Sequence, residues 1–208
     1  MKYLLTFDFD VIMFPNIWNY DNDDYHVGDD TWVKDLEKDH SDIAATIANL
    51  NNYQKLTKYI LFLCKNGYTD RIHFIDEHKD VLKYVDKNYE WECENIDSHA
   101  DTVSGDFGSR AIPDALNNGN WVYFFFKDYN LKKYTYIDGG KSEKREMLNI
   151  SPYMDQYEMY IQGFDTYKFD ENKIPDVLVL CASYPWVTSQ FHPLFQVWKD
   201  IVNNYKVD

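Results

Sequence analysis

The chain has 208 residues, so we expect one domain over residues 1–208. It has only three cysteines, which lack metal-type spacing, so we expect a reducing, cytoplasmic setting. Its 35 acidic and 21 basic residues give a formal net charge of −14, which excludes nucleic acid as an expected partner and favours a cationic substrate. No apolar stretch approaches the roughly 20 residues of a membrane span, and no signal-peptide pattern is present, so we expect no membrane association.

The first half of the chain predicts strands that alternate with helices. Residues 1–10 open with a continuous apolar run, as expected for a strand that is covered on both faces of a parallel sheet. Residues 15–30 are polar, aromatic and acid-rich without a period, and a loop of this length is often functional. The elements predicted after this loop are helices at 32–50 and 53–65, a strand at 70–75, a helix at 79–87 and a strand at 91–96.

The second half predicts three further strands and a C-terminal helix. Residues 101–113 contain two glycines and are interpreted as an active-site loop, which an Asn-rich turn at 117–120 follows. The predicted elements are strands at 121–126, 134–137 and 176–182 and a helix at 193–205. Strands separated by helices indicate an α/β domain with a mostly parallel sheet and one core.

Potential metal ligands follow three of the predicted strands. In open parallel sheets the functional site lies at the carboxyl ends of the strands, so these side chains can converge at one edge. Each motif alone has a simpler interpretation, as a polar strand end, a helix N-cap or a solvated loop. Their coincidence predicts a metal site. The candidate ligands are Asp8 and Asp10 at the end of the first strand, His78 after the second, and Asp97, His99 and Asp101 after the third.

The composition of this set indicates the kind of metal. Four carboxylates and two imidazoles are too many and too anionic for one tetrahedral zinc. They suit two harder divalent ions that share bridging carboxylates, and manganese fits best. Two such ions about 3.5–4 Å apart lower the pKa of a shared water, which then attacks an electrophilic carbon as hydroxide. We therefore expect a hydrolase with two Mn²⁺ per chain.

The same motifs resemble those of the arginase and agmatinase superfamily. Asp97-Ser98-His99-Ala100-Asp101 is similar to its Asp-Ala-His-x-Asp motif, and Asp76-Glu77-His78 is similar to its Gly-Gly-Asp-His element. Thr6-Phe7-Asp8-Phe9-Asp10, followed by Pro15, is similar to its Ser-x-Asp-x-Asp-x-x-Asp-Pro element, although here this strand precedes the other two motifs. Segments at 77–82, 119–122 and 176–183 look most like the short branch that includes the peptide arginases of ribosomal peptide biosynthesis.

The resemblance implies a fold and a ligand set. The fold is a three-layer α/β/α arrangement, arginase/deacetylase-like, with the Asp-x-Asp strand moved to the N-terminus. Two carboxylates, those of Asp8 and Asp97, bridge the metal ions. One manganese then binds His78, Asp97, Asp101 and Asp8, and the other binds His99, Asp97, Asp8 and Asp10.

The resemblance also implies a reaction. Hydroxide, oriented by Asp101, attacks the guanidinium carbon of an arginine in a precursor peptide, and urea is released from the resulting ornithine residue. Proton transfer to the leaving amine needs another group. By residue type alone, His192 is the candidate for proton transfer and Asp106 is the candidate for substrate binding.

Three other functions remain open from the sequence. The Leu4–Asp10 strand also resembles the opening strand of haloacid-dehalogenase-type phosphatases, which carries a nucleophilic and an acid/base aspartate. A zinc-dependent deacetylase on a related fold would bind one metal ion rather than two. An acidic, aromatic peptide-binding module would use the strand-end acids only as helix caps and would retain no divalent ion after dialysis.

Overall fold

The fold is known from a computed structural model. It describes residues 1–12, 50–98, 101–102, 115–139, 158–184, 187 and 189–206. In these ranges the chain has an α/β fold with one sheet of six parallel strands in the order β2-β6-β1-β3-β4-β5. The strands are β1 (Lys2–Asp8), β2 (Ile72–Ile75), β3 (Trp91–Asp97), β4 (Leu131–Asp138), β5 (Glu158–Gly163) and β6 (Val177–Cys181).

Helical segments connect the strands in the same ranges. The α-helices are α1 (Leu50–Lys65), α2 (Trp121–Asp128) and α3 (His192–Tyr205). Short 3₁₀ helices cover Phe9–Ile12, Thr69–Arg71, His78–Tyr84 and Ser189–Phe191. Among the described helices, none combines the length and the apolar character that a bilayer crossing requires.

β1 lies inside the sheet and explains the apolar run at the start of the chain. It pairs with β3 on one side and with β6 on the other, and six of its seven residues are buried. Successive side chains of a strand point to opposite faces, so both faces of β1 need apolar residues when both are covered. The strand therefore has no polar face until its carboxyl end.

Two apolar cores cover the two faces of the sheet. On one face, Leu56 of α1 and Trp198 of α3 belong to the same core as Phe7 of β1. On the other face, Val81 of the His78–Tyr84 helix and Phe125 of α2 belong to the same core as Leu4 of β1. Helices on both faces make this architecture compatible with three α/β/α layers.

The strands at 70–75, 91–96, 134–137 and 176–182 and the helices at 53–65 and 193–205 are confirmed, with shifts of a few residues at their ends. The loop predicted at 15–30, the helix at 32–50 apart from Leu50, and most of the loop at 101–113 lie outside the described residues. The helix predicted at 79–87 is a 3₁₀ helix over His78–Tyr84.

One prediction of secondary structure is wrong, and one strand was not predicted. Residues 121–126 form the helix α2 rather than a strand, and five of the helix residues are buried. A short run that is apolar on nearly every side looks the same in a buried helix and in a buried strand, which is why the pattern misled. β5 was not predicted, because this edge strand leaves Tyr160 and Ile161 exposed and so lacks a continuous apolar run.

Candidate metal centre

The carboxyl ends of two neighbouring strands carry the first acids of the site. Asp8 is the last residue of β1 and Asp97 is the last residue of β3, and the two strands are parallel neighbours. His78, the first residue of a 3₁₀ helix, follows the end of β2 closely. The side chains of all three are almost completely buried. The parallel sheet thus brings residues that are far apart in sequence to one edge, as its topology predicts.

Three carboxylate oxygens surround one ring nitrogen of His78. His78 Nδ1 lies 2.8 Å from Asp101 Oδ2, 3.1 Å from Asp97 Oδ2 and 3.2 Å from Asp8 Oδ2. Among the described residues, no acceptor meets Nδ1 with hydrogen-bond geometry, although three are close enough. Ligand atoms of Asp8, His78 and Asp97 all lie within 4.8 Å of one another. Three carboxylate oxygens therefore lie close to Nδ1 without any of them being aligned for a hydrogen bond from it.

The crowding of buried charge shifts the pKa values of the site. Burial raises the pKa of Asp8 from 3.8 to about 6, with repulsion from Asp10 and Asp97 adding to it and His78 opposing it. Burial and the Asp97 carboxylate raise the pKa of Asp101 well above its usual range. Burial lowers the pKa of His78, but the Asp101 carboxylate and then those of Asp8 and Asp97 raise it well above 6.5. A divalent cation would relieve this repulsion.

Polar side chains of β1 and β3 contact two of these candidate ligands, His78 and Asp97. Thr6 Oγ1 lies 3.0 Å from His78 Nε2, the ring nitrogen that faces away from the acids. The amide of Asn95 donates from Nδ2 to Asp97 Oδ2 over 3.3 Å. Such outer partners fix the orientation of metal ligands and, for histidine, the position of its proton. His78 is thereby set to present Nδ1 to the acids.

Ser183 holds a third ligand from beyond the end of β6. Its hydroxyl donates to Asp8 Oδ2 over 2.5 Å. Its φ of 45° lies in the left-handed region, which a non-glycine residue adopts at a cost of about 1–2 kcal/mol. Backbone strain of this kind persists only where the surrounding structure imposes it, and it is common at functional sites.

Asp101 is held by the beginning of α2. Trp121 Nε1 donates to Asp101 Oδ2 over 2.5 Å, and Val122 donates its backbone N–H to the Asp101 carbonyl oxygen over 3.3 Å. Asp101 also has a left-handed backbone, with a φ of 51°. We call the four side chains of Asp8, His78, Asp97 and Asp101 the cage. Each of them therefore has a polar partner that lies outside the cage.

Two further buried acids lie next to the cage. The Asp10 amide donates to Asp8 Oδ1 over 3.1 Å, and Asp10 Oδ1 accepts from the Ser98 amide over 3.2 Å. Asp138, the last residue of β4, is the in-register partner of Asp97 and is 6% exposed. In-register residues of parallel strands point to the same face, so the Asp138 side chain lies on the face that carries Asp97.

The predicted site residues divide into three groups. The structure brings Asp8, His78, Asp97 and Asp101 together and places Asp10 beside them. His99 and Asp106 lie outside the described residues. His192 begins α3, where its Nε2 lies 2.9 Å from the Val187 carbonyl oxygen and its ring packs against Tyr184, and no described contact joins it to the acids.

Five residues of the site were not predicted from the sequence, and for two of them the sequence contains a pattern that could have identified them. Thr6 and Asn95 each stand two residues before a ligand within a buried strand, so the period of two places them on the same face as that ligand. Asp138 ends a strand in an acid, as Asp8 does, but no motif marked it. The remaining two, Ser183 and Trp121, are brought in by long-range packing, for which no local pattern exists.

The donor set fits a hard divalent cation. Carboxylate oxygens with one imidazole nitrogen suit Mn²⁺ or Mg²⁺ better than softer metals, because no cysteine joins the described ligands. The cage is buried and has an excess of negative charge over its one imidazole, which a cation would balance. The site can therefore hold a divalent ion and, with it, activate a water molecule.

Comparison of the chain with protein-family models, with curated proteins and with solved structures gives no match. The assignment of function therefore depends on the geometry of the cage and on the motifs that supply it.

Proposed function

We propose that this chain is a manganese-dependent hydrolase that converts arginine within a peptide to ornithine and releases urea. The observation that carries the proposal is the convergence of the Asp8, Asp97 and Asp101 carboxylates on His78 Nδ1. A buried histidine that needed only a charge partner would be satisfied by one acid. Three acids around one nitrogen, each with an outer partner, support a metal-binding role.

The proposed centre is binuclear. The first ion would use the described cage of Asp8, His78, Asp97 and Asp101. The second would share Asp8 and Asp97 and add Asp10 and His99. Asp10 supports this arrangement because its carboxylate lies against the Ser98 amide, one residue before His99. The finer architecture that we propose is that of the arginases and deacetylases, with the Asp-x-Asp strand placed first.

The chemistry that such ions supply is a strongly acidified water molecule at neutral pH. Addition of this water to the guanidinium carbon and cleavage of the carbon–Nε bond yield urea and the ornithine amine, so the leaving nitrogen must gain a proton. Asp101 would orient the attacking water, because its carboxylate is fixed by Trp121. His192 is the proposed proton donor by residue type.

Recognition of the guanidinium requires a further carboxylate. In the family that the motifs resemble, a glutamate near the end of the last strand has this role, whereas here Ser183 follows β6 and bonds to Asp8. We propose Asp138 as a candidate beside Asp106, because it is buried and lies on the face and at the edge that carry Asp97. The net charge of −14 favours approach of the same cationic substrate.

The geometry is less favourable to the other functions. A phosphatase would use Asp8 and Asp10, and it would leave His78 and the two carboxylates that face it, those of Asp97 and Asp101, without a role. A one-zinc deacetylase would have no use for the additional buried carboxylate of Asp10. In a peptide-binding module the acids would cap helices, whereas the Asp97 and Asp101 carboxylates face His78.

The test measures the release of urea from a peptide that contains arginine but no acetyl-lysine. The manganese-loaded protein should release urea and lower the mass of the peptide by about 42 Da for each converted arginine. Asp97→Ala should abolish both signals, and wild-type activity in this variant would contradict the proposal. Removal of an acetyl group also lowers the mass by about 42 Da, which is why urea must be measured. A strong preference for free arginine would indicate a small-molecule arginase, and hydrolysis of a phosphate ester with magnesium would indicate a phosphatase.

A further inference from the structure

We infer that Trp121 is a positioning residue of the metal centre, which acts through Asp101 and His78 and does not bind the metal itself. This inference rests on the proposed metal site. Trp121 is completely buried at the first position of α2. Its indole N–H donates to Asp101 Oδ2 over 2.5 Å, and its ring centroid lies 5.0 Å from that of His78. One side chain thus contacts two of the four described ligands.

The backbone of Asp101 depends on the same helix. Val122, the next residue of α2, donates its N–H to the Asp101 carbonyl oxygen over 3.3 Å. Asp101 has a φ of 51°, a conformation that persists in a non-glycine residue when surrounding contacts impose it. The first two residues of α2 therefore constrain both the main chain and the side chain of this ligand.

The indole suits this role chemically. It is a donor without an acceptor, so it favours the ionised, metal-binding form of the carboxylate. A carboxylate has about four lone-pair sites, so Asp101 can accept the indole N–H and still bind a cation. Removal of an outer partner of this kind typically weakens metal binding 10- to 100-fold. Trp121 should thus set metal affinity although it supplies no ligand atom.

A second tryptophan in the same core provides a matched control. Trp91 is also almost completely buried and also belongs to the core that contains Trp121. Its indole N–H donates over 2.9 Å, but to the backbone carbonyl of Asp86 rather than to a ligand. Trp121→Phe and Trp91→Phe therefore delete the same group from the same core, and only the first change reaches the metal site.

The experiment compares the Mn²⁺ dissociation constants of the metal-free wild type and both variants by titration calorimetry. We expect Trp121→Phe to raise the constant at least tenfold, while Trp91→Phe stays within twofold of the wild type. Circular dichroism should show similar losses of thermal stability in both metal-free variants. An unchanged Mn²⁺ affinity in folded Trp121→Phe would overturn the inference and leave the metal site intact. A wild type that binds no Mn²⁺ would overturn the metal site and the inference together.

A measurement on the wild type decides the question if Trp121→Phe does not fold. Addition of diamagnetic Mg²⁺ should shift the assigned indole N–H resonance of Trp121 in a ¹H–¹⁵N spectrum, because its acceptor carboxylate becomes a ligand. The indole resonance of Trp91 should not move. Equal shifts for both resonances, or no shift for Trp121 at saturating Mg²⁺, would overturn the positioning role.

Discussion

Replacement of Asp8 by Asn should distinguish a metal site from a structural ion-pair cluster, because the two kinds of site predict opposite signs. The pKa of Asp8 is raised from 3.8 to about 6 in the folded chain, and this value already contains the attraction of His78. This rise in pKa means that the folded state disfavours the ionised carboxylate by roughly 3 kcal/mol. Asp8→Asn removes that cost, so above pH 6 the metal-free variant should be more stable than the wild type by up to about 3 kcal/mol.

The pH dependence follows from the direction of the shift. A carboxyl group whose pKa is higher in the folded than in the unfolded chain stabilises the fold fully below 3.8 and loses that contribution as the pH rises through about 6. The advantage of Asp8→Asn over the wild type should therefore be full at pH 8 and should vanish near pH 4. In a chain of this length it amounts to a rise in Tm of several degrees, measured by thermal unfolding at both pH values.

A matched control separates this effect from a general loss of negative charge. Asp176 accepts the Tyr3 backbone N–H through Oδ2, and Asp176→Asn removes one charge outside the cage. The gain in stability of Asp8→Asn at pH 8 should exceed any change that this control shows. Mn²⁺ at 100 times its Kd should stabilise the wild type by about 2.7 kcal/mol for each bound ion but should leave Asp8→Asn unchanged. A loss of stability in metal-free Asp8→Asn at pH 8 would refute the reasoning, because the acids would then serve mainly to pair with His78.

Substitutions at three other positions test the outer partners and the substrate site. Thr6→Val should weaken Mn²⁺ binding about tenfold in calorimetry while Thr6→Ser should not, since only the former loses the oxygen next to His78 Nε2; equal affinities would contradict the role of Thr6. Ser183→Ala and Ser183→Gly should weaken Mn²⁺ binding equally, because both remove the hydroxyl that donates to Asp8. The glycine variant should be more stable than the alanine variant by about 1 kcal/mol, because residue 183 has a φ of 45°. Equal stabilities of the two variants would show that the backbone is not strained there. Asp138→Asn should raise KM for the peptide about tenfold with its metal content unchanged, and a loss of bound metal instead would make Asp138 a ligand rather than a substrate-binding residue.

The parallel sheet was predictable because its strands are covered on both faces. Continuous apolar runs that are too short to span a membrane, such as Tyr3–Phe7 and Val177–Cys181, are typical of strands buried in this way. The same logic placed Asp8 and Asp97 at one edge, since acids at the ends of parallel strands share that edge. A strand at the border of the sheet, such as β5, has an exposed side and therefore a weaker pattern.

The support of the site was harder to predict than its ligands. Ligands are marked by residue type and by their position after a strand, whereas outer partners are ordinary residues that distant packing brings near. Trp121 appeared to be part of a strand because α2 is apolar on almost every side, so its contact with Asp101 was not foreseeable. Ser183 lies 175 residues from Asp8 in sequence and meets it only because β6 pairs with β1.

The most direct test of the central claim is the metal content of the protein. The chain is loaded with Mn²⁺, desalted exhaustively and analysed by inductively coupled plasma mass spectrometry beside Asp97→Ala. The proposed binuclear centre predicts about two manganese ions per wild-type chain and a clear loss in the variant. A wild type that retains no divalent ion, or a variant that retains as much as the wild type, would contradict the assignment of Asp8, His78, Asp97 and Asp101 as a metal centre.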